Sequence, residues 1–233
     1  MKEALEAEVR QFLTQEAEPS FRLFQQKLIP TGSPIYGVRM PKLRKKAKEM
    51  AKETGKAYLA CQMDSLEEKL LGALVLGEGK MEFANRLSLL KDFLPKLDSW
   101  AVCDGLCSHF PVKTEEEREA LWQFLTPYWD SPAEYDRRAA AVFSLSKLMT
   151  PSLLPRILSA YEKTDVTPYY VSMAVAWGVS VAYVHFPLET EVWLMKTTLE
   201  VETYRRALQK IIESNRVDGE TKERMRKRKR EAR

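Results

Sequence analysis

The segment DSWAVCDGLCSHF, residues 98–110, gathers a tryptophan, two aspartates, two of the chain's three cysteines and one of its two histidines. Cys103 and Cys107 stand four apart and share a face of any helix, with His109 close by in sequence. Zinc wants about four ligands, usually as two close-set pairs. Cys61 is isolated and His185 closes a different segment, so no metal is expected. Thiol catalysis needs an aligned base, and His109 lies two residues from Cys107, on another face. Buried cysteines commonly pack as small apolar residues. What remains is Trp100 and Asp104, four apart and on one helical face. A carboxylate in so apolar a helix is costly unless it caps a neighbour or lines a cleft.

Two later residues extend that pair. Arg138 sits in YDRRAAAVFSL and Trp177 in MAVAWGVS, each on a segment of strong helical periodicity. If corresponding helices line one surface, these side chains converge with Trp100 and Asp104 on a concave face. Tryptophan is also highly buried on average, so at this point core packing is the simpler account of Trp100 and Trp177. Glycine-rich phosphate loops and the H-E-x-x-H pattern are absent, and no cofactor is expected.

The elements that must position these residues are helices, and the spacing predicts an all-α fold. In SLEEKLLGALVLGE, Ser65 and Glu68 have capping-box spacing, and Leu66, Leu70, Leu71, Leu74 and Val75 recur at helical intervals. Later segments start on Thr or Ser with Pro132, Pro151 or Pro168 close behind. VSVAYV, residues 179–184, has strand-like residue types but continues a helical pattern. Leading helices of successive pairs begin near residues 65, 98, 133, 167 and 201. Such hairpins cannot bury their apolar faces alone and stack into an α-solenoid with a concave face, here closest to HEAT repeats. The expected organisation is a single repeat domain over 1–215, followed by a basic tail over 216–233. Irregular N-terminal helices fill 1–55, where TGSPIYGVRMP reads as an extended connector, and the repeats run from about 56 to 215.

Composition agrees with this class. Glycine is scarce, with 9 in 233 residues, which suits helices better than a sandwich or barrel. No apolar run approaches about 18 residues, so no membrane span is expected. The charged, amphipathic N-terminus lacks the apolar centre of a signal peptide, and the cysteine pattern suits a reducing cytoplasm. The net charge of +4 is uneven, because residues 216–233 carry nine basic and four acidic side chains, leaving about −1 on the rest. Arg39, Lys42, Arg44, Lys45, Lys46 and Lys48 cluster in VRMPKLRKKAK without an acid among them. Two basic clusters on a neutral body suit a polyanion. The tail reads more simply as a solvated, frayed terminus; for the 38–48 cluster both readings stay open.

The segments YGVRMPKLRKKAKE, DSWAVCDGLCSHF, YDRRAAAVFSLSKL and MAVAWGVSVAYV resemble those of the bacterial DNA alkylation repair glycosylases built from HEAT-like repeats. The resemblance runs from about Tyr36 to the last repeat. It implies an enzyme that excises positively charged N-alkylated purines, of the 3-methyladenine or 7-methylguanine type, by hydrolysing the N-glycosidic bond. It implies Trp100, Asp104 and Trp177 as catalytic, with Asp104 stabilising the positive charge that develops on the deoxyribose. Arg138 would hold a backbone phosphate, while Arg39, Lys42, Arg44, Lys45 and Lys46 would grip the duplex without reading its sequence. The implied partner is double-stranded DNA carrying alkylated bases, met by a monomer. Active members also carry a DNA-contacting aromatic on an earlier helix; here EAEPSFRLFQQKLIPTGSPI departs from that pattern, with Phe21, Phe24 and Tyr36 as stand-ins. Two other classes fit the same helices: a DNA-binding protein for damaged or branched DNA without turnover, and a protein–protein scaffold.

Overall fold

The computed structural model describes residues 2–232, which form two compact units divided between Glu117 and Arg118. Among the described residues every regular element is helical.

In the first unit, α1 (Lys2–Glu16), α2 (Pro19–Leu28), α3 (Met40–Glu53), the short α4 (Gly55–Leu59), α5 (Leu66–Glu78), α6 (Phe83–Phe93) and α7 (Trp100–His109) follow one another. The centre is α5, which packs between α3 and α7. Its expected capping box forms: Ser65 Oγ accepts the Glu68 N–H, and the Glu68 carboxylate accepts the Ser65 N–H at 2.8 Å. Leu66, Leu70, Leu71, Leu74 and Val75 are all buried, as the periodicity required. Pro at the first turn starts α2 and α3, because its missing N–H has no partner to lose there.

The connector 29–39 is extended, as expected, yet firmly held. The Glu67 carboxylate accepts three successive backbone N–H groups, from Tyr36 at 2.9 Å, Gly37 at 2.7 Å and Val38 at 3.2 Å. Asp98 accepts the hydroxyls of Thr31 at 2.8 Å and Ser33 at 2.6 Å and the Lys69 ammonium at 2.8 Å. Burial pushes the Asp98 carboxyl up, but hydrogen bonds from Lys69, Ser33 and Thr31 outweigh it and hold the group below its ordinary range. Gly37 has a φ of +90°, and a Cβ there would lie 2.7 Å from both the Arg22 N and the Glu18 O, so no other residue suits this turn.

A further helix, α8 (Glu115–Leu125), carries the division, and the second unit continues with α9 (Glu134–Lys147), α10 (Leu154–Lys163), α11 (Tyr169–His185), α12 (Pro187–Leu194), α13 (Val201–Glu213) and α14 (Gly219–Glu231). The segment 179–184 lies inside α11, so the strand-like VSVAYV is helical. α11 packs between α9 and α13. Ala139, Ala140 and Ala141 are fully buried, and such small side chains let the backbones approach closely. Helices α5, α7, α9, α11 and α13 begin at residues 66, 100, 134, 169 and 201, each within two residues of the expected starts and separated by 34, 34, 35 and 32 residues.

The tail departs from the simple reading of a frayed terminus. Asp218 caps α14 by accepting the Thr221 N–H at 2.8 Å, and Thr221 and Met225 are buried against α13. Arg228 pairs with Glu191 at 2.5 Å, and Arg205 donates to the Ala232 carbonyl at 3.2 Å. A single apolar side chain, Met225, is enough to seat an otherwise charged helix once its polar edges are paired.

Candidate functional site

Two cavities, one in each unit, hold five of the nine expected site residues. The first, of about 410 Å³, lies between α7, α5, α3 and the end of α2. Trp100, Asp104 and His109 line it from α7, Leu70 and Leu74 from α5, and Arg44 from α3. Ser99 starts α7 by accepting the Val102 N–H, and that register turns Val102, Cys103, Leu106 and Cys107 into the core. The cysteines are therefore packing residues, and the opposite face carries Trp100 and Asp104 one turn apart, both half-buried. Trp100 Nε1 donates to the Leu28 carbonyl at 3.3 Å, which fixes the indole against α2. His109 faces Glu78 at 3.1 Å. Among the described residues, no group of three or more His, Cys, Asp or Glu side chains is placed to hold a metal ion.

The second cavity, of about 450 Å³, opens between α9, α11 and α13. Arg138, Trp177, His185, Lys210 and Arg216 line it. Trp177 is half-buried rather than sealed between helices. Arg138 is only 5% exposed; it donates to the Tyr170 carbonyl at 2.7 Å and lies 5.8 Å from the centre of the Tyr170 ring. That ring stacks in turn on Tyr135 at 5.9 Å. The guanidinium is thus held in a fixed orientation at the cavity wall.

The basic helix α3 divides by face. Arg44 reaches the first cavity and Lys45 is exposed. Arg39, Lys42 and Lys46 instead turn toward carboxylates on α1 and before α2. Arg39 pairs with Glu18 at 2.8 Å, Lys42 with Glu16 at 2.8 Å, and Lys46 with Glu8 at 2.7 Å. The hydrogen bond from Arg39 holds the Glu18 carboxyl below its ordinary range, and the Glu16 contact raises the Lys42 ammonium. The Arg39–Glu18 and Lys42–Glu16 pairs are part-exposed, and exposed pairs hold weakly, so a phosphate can compete for these cations. Of the aromatic stand-ins, Phe21 and Phe24 stack on each other on α2, with ring centres 6.2 Å apart. Phe24 is 55% exposed on α2 beside the exposed Leu23 and Leu28, whereas Phe21 lies under Arg39 at 4.6 Å, and Tyr36 is half-buried in the connector.

A sequence model of the family described as DNA alkylation repair enzyme matches residues 9–168, well over half of the chain. The chain belongs to that family. The matched segment contains Trp100, Asp104 and Arg138, and it ends before Trp177. No curated protein and no solved structure matches the chain. Membership of a DNA alkylation repair enzyme family makes DNA repair the setting in which both cavities are to be read, and no helix among the described residues is long and apolar enough to cross a membrane.

Lys210 and Arg216 are the cavity-lining cations that the sequence reading passed over. Helix offsets carry no signal for them: Asp104 and Arg138 each stand four residues beyond the first residue of α7 and α9, while Trp177 and Lys210 stand eight and nine beyond those of α11 and α13.

Proposed function

We propose that this family member is a DNA glycosylase that excises positively charged N-alkylated purines, of the 3-methyladenine or 7-methylguanine type, using HEAT-like helical hairpins to present its site. The observation that carries the reading is the open cavity shared by Trp100, Asp104 and Arg44. An aspartate at its wall suits the charge that this reaction develops. The alkylated base leaves readily because it already bears a positive charge. As the bond from C1′ to the base nitrogen breaks, its electron pair goes to the base and positive charge grows on the deoxyribose. The Asp104 carboxylate stabilises that charge, and water adds its oxygen to C1′ while its proton passes to the carboxylate or to solvent. The indole of Trp100, fixed by its bond to Leu28, offers a π face to the cationic sugar or base, worth about 1–2 kcal/mol when desolvated. Arg44 meets a neighbouring phosphate. In the second unit, Arg138 is assigned to a backbone phosphate and Trp177 to the lesion-bearing strand. Charged side chains line both open cavities, so recognition rests on charge rather than on sequence.

The test is release of 7-methylguanine from an alkylated duplex by the wild-type chain and by Asp104→Asn. Loss of a charge-stabilising group of this kind costs about 10²–10³ in rate. Equal release by both proteins removes Asp104 from the reaction. Duplex binding without release from any alkylated substrate would replace the enzyme with a damage-binding protein.

A further inference from the structure

The most basic surface of the second unit lies outside the family-matched segment, on the last two helices. α14 carries seven Lys or Arg and three Glu within its 13 residues, and it is built into the fold. Thr221 and Met225 are buried, Arg228 is paired with Glu191, and Lys229 Nζ donates to Gln209 of α13 at 2.8 Å. A solvated tail needs no such seating. The consequence of the seating is that Arg226, Lys227 and Arg230 are held on the exposed side of one rigid turn-and-a-half.

Between α13 and α14 lies a further cavity of about 360 Å³. Four cations line it, Arg205, Arg206, Lys210 and Lys229, against two carboxylates, Glu202 and Glu213. It shares Met173, Lys210 and Glu213 with the cavity of Arg138 and Trp177, so a band of positive charge continues from that cavity onto α14. Arg206 also lies 5.4 Å from the centre of the Tyr169 ring, which is 55% exposed. Cations with an open aromatic face alongside suit a phosphodiester strand, which offers repeated negative charge and sugar or base edges together.

We propose that α13 and α14 form a duplex-backbone clamp, in which Arg226, Lys227 and Arg230 contact phosphates flanking the strand held at Arg138 and Trp177. The clamp rests on the DNA reading given above, but it does not require that Asp104 catalyse. It anchors the duplex without selecting bases, because its groups are cations on a surface with no base-edge geometry.

The experiment measures binding of the full chain to a short undamaged duplex between 50 and 200 mM salt, with wild type and the Arg226→Gln/Lys227→Gln/Arg230→Gln variant. Each phosphate contact contributes about 0.9 to the slope of log K against log salt, so three lost contacts flatten it by about 2.7. Over that fourfold change of salt, wild type then loses about 40-fold more affinity than the variant. A second variant, Glu213→Gln, removes a carboxylate shared by both cavities and is expected to tighten binding several-fold, an effect of opposite sign that damage to the fold would not produce. An unchanged slope in the triple variant, with wild type still releasing alkylated bases, overturns the clamp and leaves the glycosylase reading intact. Loss of release in Asp104→Asn with a flattened slope in the triple variant supports both. No binding of duplex by wild type overturns both.

Discussion

Replacing Glu67 by Ala tests whether one buried carboxylate organises the whole N-terminal approach to the first cavity. Glu67 is fully buried, and its two oxygens accept the N–H groups of Tyr36, Gly37 and Val38. Gly37 and Val38 are themselves buried, so after truncation water cannot replace the lost acceptor at those two positions. An orphaned buried donor costs about 1–3 kcal/mol, which puts the loss at roughly 2–6 kcal/mol. That is a large share of the 5–15 kcal/mol that typically separates folded from unfolded protein. Glu67→Gln keeps one acceptor oxygen but points an amide NH₂ at donors, so it is expected to lose about 1.5–3 kcal/mol, the worth of a hydrogen bond to a charged group. Urea unfolding followed by circular dichroism gives both values from the midpoints at constant slope. The connector joins α2 to α3, and Trp100 leans on α2 through the Leu28 carbonyl, so base release should fall in Glu67→Gln even at temperatures where it is folded. An Ala variant within 1 kcal/mol of wild type would show that something other than this carboxylate holds residues 36–38, and the reasoning would fail.

Asp98 makes a pH-dependent contribution of known sign. Its folded-state ionisation lies below the ordinary value near 3.9, so the stability it adds is present above that value and is lost as pH falls further. Asp98→Asn should therefore be less stable than wild type at neutral pH, with the gap closing below about pH 4; a gap constant down to pH 3 would refute the assignment. Gly178→Ala places a methyl group on the phenol of the fully buried Tyr161, and the melting temperature should fall by an amount equivalent to about 1–3 kcal/mol of overpacking. Glu119→Gln breaks an exposed pair with Arg156, and should change stability by less than about 1 kcal/mol in a thermal melt.

The helices were legible because burial writes itself into period. Leu66, Leu70, Leu71, Leu74 and Val75 repeat as a buried helix face must, and the Ser65–Glu68 box marks its start. The pins on the connector were not legible, because Glu67 follows Leu66 in the same capped turn and reads as ordinary first-turn acid. Nothing in local sequence says that its carboxylate turns back some thirty residues to three backbone donors. The same blindness applies to Arg86, whose guanidinium reaches the carbonyls of Leu76, Gly77 and Gly79 at the end of α5. Long-range polar satisfaction depends on where two elements meet, and that is a property of packing. The fate of the tail illustrates the converse. Its charge was plain in the sequence, while the single buried Met225 that seats it carries almost no pattern at all.

The candidate site was legible through the way α7 divides. On α7 the core claims Val102, Cys103, Leu106 and Cys107, which leaves the opposite face to Trp100 and Asp104. A carboxylate and an indole are costly occupants of a half-buried face, and in sequence that cost marks a candidate binding surface. On α9 and α11 the division is less clean, because Arg138 is largely buried and braced by Tyr170, while Trp177 lies only partly outside the core. A braced guanidinium and a half-buried indole are poor at adapting to a partner and good at holding one geometry. If charge on a damaged strand is what this protein recognises, rigidity in the second cavity suits the fixed spacing of phosphates. On the proposed glycosylase reading, the half-buried Asp104 of the first cavity needs only proximity to the cation that bond cleavage would create.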